Sequence, residues 1–210
     1  MRGRSFTRPD RCPRCRLVDR VCLCAELPTV VTRARIVVIR HVREVVKPSG
    51  TARIAQLALP SLEIVDYRDE RGPLPDWLRD DPLTPPDVLP PDLVGDRLRT
   101  LDGAALLFPT GRTSEEPPRT LVVLDGTWRQ ARQMYRRIPG CAALPTVSLS
   151  GGNDVRRLRS SRAPGERSTL EAIADALAIL EGEEVAAPLR ALHDRFVLQS
   201  LKARGRTPPL

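Results

Sequence analysis

The sequence lacks any continuous apolar run of 18 residues, and no hydrophobic segment follows its basic start, MRGRSFTRPDR. A transmembrane helix needs about 20 apolar residues, and a secretory signal needs an apolar segment after its positive charges. Neither feature is present, so we expect a cytoplasmic protein with no membrane partner. The length of 210 residues suits one domain with room for a small appendage.

Lysine is almost absent, since only Lys47 and Lys202 among the 34 basic residues are lysines. The net charge of +8 is unevenly distributed, because residues 66–102 contain ten acidic and five basic residues. Positive charge is concentrated in the N-terminal arm, in the segment after Trp128 and in residues 156–167. Such segregation is typical of a nucleic-acid-binding protein, and a solvated basic face without a partner is the alternative.

No histidine or carboxylate stands at ligand spacing beside the four N-terminal cysteines, which form the pattern C-x2-C-x6-C-x-C. Zn²⁺ is the usual ion of such all-sulfur sites, and without an open coordination position it would be structural. Disulfides and an iron–sulfur cluster are the alternatives, and a cytoplasmic location disfavours the former. The predicted zinc ligands are Cys12, Cys15, Cys22 and Cys24.

Short apolar runs alternate with helical patterns along the chain. We predict strands over residues 35–40, 62–65, 104–108, 121–124 and 146–149, with helices starting near Thr51, Trp128, Ser168 and Glu183. Thr51 can serve as the N-cap of the first of these helices. The repeated order of strand, helix and strand predicts an α/β fold with a mostly parallel sheet. Residues 66–102 are rich in Pro and Asp, and we expect a variable acidic surface insert there, with short helices over 75–79 and 93–101.

The segment 120–137, TLVVLDGTWRQARQMYRR, contains a buried strand, a polar turn and a basic helix. Asp125 lies where the strand ends, and open α/β sheets bind ligands at the carboxyl ends of their strands. Asp125 is therefore a candidate functional carboxylate. A structural role stays open, because Asp125 or Thr127 would also make a good helix N-cap and Trp128 a good core anchor.

The residues Asp125-Gly126-Thr127-Trp128, followed by Ala131-Arg132, resemble the D-x-T-W-x-x-A-R motif of the DTW-domain family, the tRNA-uridine aminocarboxypropyltransferases. Further blocks occur in family order: the cysteine cluster, His41 with Glu44 and Thr51, residues 104–111, RRLR at 156–159, and STLEA at 168–172. The chain departs from the family pattern at Val42, Arg156 and Arg167, where the family has proline, tyrosine and leucine. Ser168 with Glu171 also forms a capping box, a purely structural reason for those residues.

The resemblance implies a SPOUT-like α/β fold with a trefoil knot. It also implies a basic arm and zinc knuckle over residues 1–30, and a catalytic domain over 31–205. The implied reaction transfers the 3-amino-3-carboxypropyl group of S-adenosylmethionine to N3 of a uridine in tRNA. A SPOUT-type RNA methyltransferase and a non-catalytic zinc-containing RNA-binding protein are the alternatives. We take a monomer as the working expectation for the oligomeric state.

The resemblance also implies residue roles. Asp125, Trp128 and Thr127 would form the catalytic set, with Asp125 accepting or orienting the N3 proton. The donor would be bound by the loop residues Leu107, Phe108, Pro109, Thr110 and Gly111, with Arg159, Ser168 and Thr169 binding its carboxylate. The tRNA would be bound by Arg11, Arg14, Arg16, His41, Arg129, Arg132, Arg136 and Arg157.

Overall fold

The computed structural model describes residues 10–69, 73–149 and 167–205, which form an α/β structure on a five-stranded sheet. The strands are β1 (Arg35–His41), β2 (Leu62–Tyr67), β3 (Ala104–Leu107), β4 (Thr120–Asp125) and β5 (Thr146–Val147). All neighbouring strands are parallel. The predicted fold class and the parallel sheet are confirmed, with strand ends within two residues of those expected.

Seven α-helices connect and cover these strands in the described part of the chain. They are α1 (Val42–Val45), α2 (Thr51–Ala58), α3 (Asp76–Arg79), α4 (Pro91–Arg99), α5 (Trp128–Arg137), α6 (Thr169–Glu181) and α7 (Glu183–Ala203). The short helices α3 and α4 lie in the acidic segment, where they were predicted. The prediction for Thr51 was wrong in one detail: Gly50 is the N-cap of α2, and Thr51 is its first residue.

Alternation of side chains along the strands gives the sheet two apolar faces. Ile36 and Val38 of β1 pack on the face covered by α2, α6 and α7, which we call the first face. Val37 and Ile39 pack on the opposite, second face, which α4 and α5 cover. The described residues therefore form three layers, helix, sheet and helix.

The strand order β2-β1-β4-β3-β5 makes β1 and β4 neighbours, although they are far apart in the chain. The helix α2 follows β1 on the first face, whereas α5 follows β4 on the second. Two adjacent parallel strands whose connections leave to opposite sides open a crevice at their carboxyl ends, where α/β proteins bind ligands. We call this place the β1/β4 crevice.

The cysteine knuckle packs against the first face. Cys15, Leu17 and Leu23 are almost fully buried and belong to the same apolar cluster as α2, α6 and α7. A knuckle of this length cannot bury a core of its own, so it shares that of the sheet. The boundary between residues 30 and 31 and the trefoil knot stay predictions. Among the described residues, no helix combines the length and apolar character needed to cross a membrane.

Candidate active site

A row of three charged residues crosses the sheet at the β1/β4 crevice. Arg40 of β1 is in register with Asp66 of β2 on one side and with Asp125 of β4 on the other. By alternation from Val38 and Val123, Arg40 and Asp125 face the first layer of helices. Arg40 donates to both carboxylate oxygens of Asp66, at 2.7 Å and 2.9 Å. Asp66 thus occupies the fork of Arg40, and Asp125 must find other partners.

Asp125 is almost fully buried, with 6 % of its surface exposed. Its Oδ1 accepts a hydrogen bond from the hydroxyl of Thr169, whereas its buried Oδ2 has no partner among the described residues. Burial raises the pKa of this carboxyl from 3.8 to about 6, against the opposing effect of the Thr169 hydrogen bond. A carboxylate with one free oxygen and a raised pKa is suited to accept a proton near neutral pH.

The first turn of α6 holds Thr169 against Asp125. The predicted capping box is confirmed: Ser168 Oγ accepts from the amide of Glu171, and the Glu171 carboxylate accepts from the amide of Ser168 at 2.7 Å. In the same turn, the backbone amide of Leu170 donates to the hydroxyl of Thr51 at 3.3 Å. The starts of α2 and α6 and the end of β4 therefore meet at one point.

The turn after Asp125 is locked by a second capping box. Thr127 Oγ1 accepts from the amide of Gln130 at 3.3 Å, and Gln130 Oε1 accepts from the amide of Thr127 at 2.7 Å. A Cβ at Gly126 would lie 3.0 Å from Cβ of Gln130, so a side chain there would disturb the box. The side-chain nitrogen of Gln130, Nε2, lies 3.3 Å from Nδ1 of His41. Thr127 thus fixes the direction in which α5 leaves the sheet.

Trp128 is not a core anchor, because 44 % of its surface is exposed. Its ring stacks on Phe108 with 5.7 Å between centroids, and Phe108 stacks on Tyr135 at 4.4 Å. The guanidinium of Arg132 lies 5.8 Å from the Trp128 centroid. The rings of Tyr135, Phe108 and Trp128 thus form a stack, which we call the aromatic ladder. Its outer ring, Trp128, is accessible to solvent and has Arg132 beside it.

The loop after β3 reaches the same edge of the sheet. Leu107 and Phe108 are buried, whereas Pro109, Thr110 and Gly111 are exposed. Gly111 has φ of +138°, and a Cβ there would lie 2.4 Å from Thr146 Cγ2. The amide of Thr146 donates to the carbonyl of Arg112 at 2.7 Å and so ties the end of the loop to β5. The end of the loop is therefore held against β5, and Pro109, Thr110 and Gly111 face solvent.

A basic cavity of about 650 Å³ lies between the end of β1 and α5. It is lined by His41, Arg43, Asp69, Arg129, Gln130, Gln133, Arg136 and Arg137. Asp69 is the one carboxylate among these described residues, so the lining is strongly positive. His41 is 2 % exposed, burial lowers its pKa, and its Nε2 lies 3.5 Å from Asp69. The predicted RNA-binding residues Arg129, Arg136 and His41 meet here.

The other predicted RNA-binding residues lie elsewhere. Arg132 lies on the aromatic ladder, and Arg11, Arg14 and Arg16 lie on the cysteine knuckle. Arg16 turns inward, because its Nη1 donates to the carbonyl of Val45 at 2.8 Å. The predictions for Arg157 and Arg159 lie outside the described residues.

The four N-terminal cysteines form a cluster that could hold a metal ion. Their Sγ atoms all lie within 4.8 Å of one another, with Cys12 to Cys24 at 3.6 Å and Cys15 to Cys22 at 3.7 Å. A tetrahedron with Zn–S bonds of about 2.3 Å has S···S edges of about 3.8 Å. These separations are far longer than a disulfide bond of about 2.05 Å, and all four thiols are free. The sulfur geometry therefore fits a four-thiolate zinc site.

The sequence prediction missed one charged residue in this region, Arg53 of α2. It is 8 % exposed, and its Nε has no hydrogen-bond partner among the described residues. An arginine in a helix is usually assumed to point to solvent. The available signal was its flanking sequence, since Ala52, Ile54 and Ala55 leave α2 apolar around it, as expected of a helix buried on most sides.

Residues 9–201 match the DTW domain family. The chain is also similar to a curated protein of Drosophila melanogaster, tRNA-uridine aminocarboxypropyltransferase 2. The identity is 32 % over 183 residues, which cover 83 % of this chain and 68 % of the relative. No solved structure shows a significant match to this chain.

Proposed function

This chain belongs to the DTW-domain family, and we propose that it transfers the 3-amino-3-carboxypropyl group of S-adenosylmethionine to N3 of a uridine in tRNA. The proposal is supported by the name of its Drosophila relative and by the family blocks in the sequence. The structural observation that carries it is the buried carboxylate of Asp125, whose Oδ2 has no partner among the described residues at the end of a central strand.

Uridine N3 bears a proton and becomes a good nucleophile only as that proton leaves. In the proposed reaction, Asp125 Oδ2 accepts the N3 proton while the N3 lone pair attacks the methylene carbon beside the donor sulfonium. The bond between that carbon and sulfur breaks, its electron pair stays on sulfur, and neutral methylthioadenosine leaves. The raised pKa of Asp125 brings its basicity closer to neutral pH, where a general base is most effective.

Thr169 would orient this base. Its hydroxyl donates to Asp125 Oδ1 and is itself fixed by the first turn of α6. Because Oδ1 is bonded to Thr169, we assign the N3 proton to Oδ2, the oxygen without a partner among the described residues. We assign Thr127 a positioning role, because its hydroxyl is engaged by Gln130 in the capping box that directs α5.

The donor adenosine would lie along the loop from Leu107 to Gly111. Phe108 offers an apolar ring, the exposed residues Pro109, Thr110 and Gly111 offer backbone carbonyl groups, and Thr110 and Gly111 also offer backbone amides. This loop follows β3, the neighbour of β4, so it lies at the same edge of the sheet as Asp125. The loop therefore suits adenosine, a neutral nucleoside whose base has apolar faces and polar edges.

The RNA would lie over the second face. Exposed aromatic rings stack on nucleobases without sequence preference, and clustered arginines bind phosphates. The ladder ending at Trp128 provides the first feature, and the basic cavity beside α5 provides the second. Trp128 and Arg129 follow Asp125 by three and four residues, so both features start at the carboxyl end of β4, where Asp125 lies.

We further propose that the four cysteines hold Zn²⁺ with a structural role. The ion would join the two halves of the knuckle, whose apolar residues pack on the first face. All four ligand positions are thiolates, which leaves none for a substrate.

The proposal is tested by incubating unmodified tRNA with the protein and S-adenosylmethionine and measuring the mass of the nucleosides after digestion. We expect a uridine carrying an aminocarboxypropyl group, absent with Asp125→Asn and present with Asp102→Asn. Asp102 is the matched control, because its side chain is 76 % exposed and pairs with Arg119 at the surface. A methylated nucleoside would identify an RNA methyltransferase instead, and unchanged tRNA would favour a non-catalytic RNA-binding protein.

A further inference from the structure

Arg53 is a buried cation without an ionic partner among the described residues. The first turn of α2 carries it into the region where the starts of α2 and α6 meet the end of β4. Its one hydrogen bond among the described residues is long, from Nη2 to the carbonyl of Pro48 at 3.4 Å. Its Nε is buried and has no partner in the described part of the chain.

The surroundings of Arg53 make this burial costly for the free protein. Two of its electrostatic neighbours, Arg16 and Arg40, are also positive. Arg40 is already occupied by Asp66, and Arg16 donates to a backbone carbonyl. Asp125 is a negative neighbour, yet its own Oδ2 is unpartnered, so Arg53 does not neutralise it by direct contact. Unpaired buried charges are rare in proteins unless a ligand or metal completes them.

From this arrangement we infer that Arg53 binds the carboxylate of the amino-acid portion of S-adenosylmethionine. The inference rests on the proposed function. The Nε and Nη2 atoms form the side of the guanidinium that binds a carboxylate through two parallel hydrogen bonds. Nη2 has a second hydrogen beyond the one directed to Pro48, and the hydrogen of Nε is free among the described residues. Sequence reasoning had assigned the carboxylate to Arg159, Ser168 and Thr169.

This assignment explains how one donor would yield one product. The sulfonium of S-adenosylmethionine carries three carbons, and each could in principle be attacked. A carboxylate held by Arg53 on the first face would fix the chain that leads to the reacting methylene, while Asp125 in the same crevice holds the nucleophile. Such positioning determines which carbon meets N3. Arg53 is thus a donor-binding residue that also sets the specificity of the reaction.

A purely structural role for Arg53 predicts different behaviour. If its contact with Pro48 stabilised the turn before α2, replacing it would lower stability. If it is kept for the donor, removing an unpaired charge beside Arg16 and Arg40 should leave stability unchanged or raise it. Arg53→Met keeps most of the side-chain volume without charge, and Arg53→Lys keeps the charge without the planar fork.

The test measures binding of S-adenosylmethionine and of methylthioadenosine to the zinc-loaded protein by calorimetry. Methylthioadenosine lacks the aminocarboxypropyl group, so it reports only the nucleoside part of the site. We expect Arg53→Met to weaken S-adenosylmethionine binding about 10- to 100-fold, as for loss of a charged hydrogen bond, with methylthioadenosine binding unchanged. Arg53→Lys should recover part of the loss. Arg119→Met, at an exposed pair with Asp102, should bind both compounds like the original protein.

Each other outcome overturns the inference. Equal weakening of both compounds, or a marked fall in the unfolding temperature of Arg53→Met, would assign Arg53 to the fold. Unchanged S-adenosylmethionine binding by Arg53→Met would remove the residue from the donor site and leave the proposed function intact. Failure of the unaltered protein to bind S-adenosylmethionine would overturn the proposed function together with the inference.

Discussion

Replacement of Asp125 by Asn should change how the stability of the protein depends on pH. Burial raises the carboxyl pKa from 3.8 to about 6, so the folded protein holds this proton more tightly than the unfolded chain. A carboxylate with a raised pKa destabilises the fold when it ionises: the penalty is absent at low pH, grows as pH rises from 3.8 and is complete above about pH 6. The shift of about 2 units corresponds to a full penalty of about 3 kcal/mol.

The variant removes this titration but keeps an acceptor for Thr169. Its amide nitrogen would take the place of the unpartnered Oδ2, at a cost of about 1–3 kcal/mol that does not vary with pH. The informative quantity is therefore the change with pH in the difference between the two unfolding free energies. About half of the penalty, about 1.5 kcal/mol, develops between about pH 5 and about pH 7.5.

Urea unfolding followed by circular dichroism, at several pH values across that range, measures this quantity. The unfolding free energy of Asp125→Asn minus that of the unaltered protein should increase by about 1.5 kcal/mol towards neutral pH. The same difference for Asp102→Asn, an exposed control, should not change with pH. A constant difference between Asp125→Asn and the unaltered protein would mean that Asp125 titrates as an ordinary carboxyl. The structural basis for its role as a base would then fail.

Four further predictions follow from the same structure. The single-turnover rate of modification should fall on acidification with an apparent pKa near 6, and a pH-independent rate would contradict a titrating Asp125. Removal of zinc by a chelator, or Cys15→Ser, should lower the unfolding temperature, measured by calorimetry, because the knuckle shares the core of the first face; no change would show that no metal is bound. Trp128→Ala should weaken tRNA binding, measured by fluorescence anisotropy, by about 1–3 kcal/mol, and Trp128→Phe should weaken it less. Equal losses of affinity in the two variants would argue against stacking of a base on this ring. Replacing both Arg129 and Arg136 by Gln should make the plot of log binding constant against log salt concentration less steep, by the amount expected for the loss of about two phosphate contacts. An unchanged slope would show that these arginines do not contact the RNA backbone.

The sequence predicted the fold well where local patterns decide it. The apolar strands, the turn at Asp125 and the capping box at Ser168 were identified because hydrophobic period and N-cap chemistry are local. The association of the cysteines was also predictable, since their spacing alone brings four thiols together.

The residues that sequence reasoning missed depend on contacts between distant segments. Arg53 looks like any helical arginine in the sequence, and only the fold shows that it is buried beside Arg16, Arg40 and Asp125. Thr51 was expected to cap its own helix, but it accepts from the first turn of α6, which begins more than a hundred residues later. His41 was expected to contact RNA directly, and only the fold shows that it is buried against Gln130 and Asp69. Its prediction as an RNA-binding residue stays open, because its ring lines the basic cavity.

The most direct measurement quantifies methylthioadenosine and modified uridine together, by mass spectrometry, in single turnovers of the unaltered protein and of Asp125→Asn. We expect equal amounts of the two products from the unaltered protein. We also expect a rate at least about 100-fold lower for Asp125→Asn, with S-adenosylmethionine binding retained. Release of S-adenosylhomocysteine in place of methylthioadenosine would contradict the proposed transfer, and an undiminished rate with Asn at position 125 would contradict the role of Asp125 as the base.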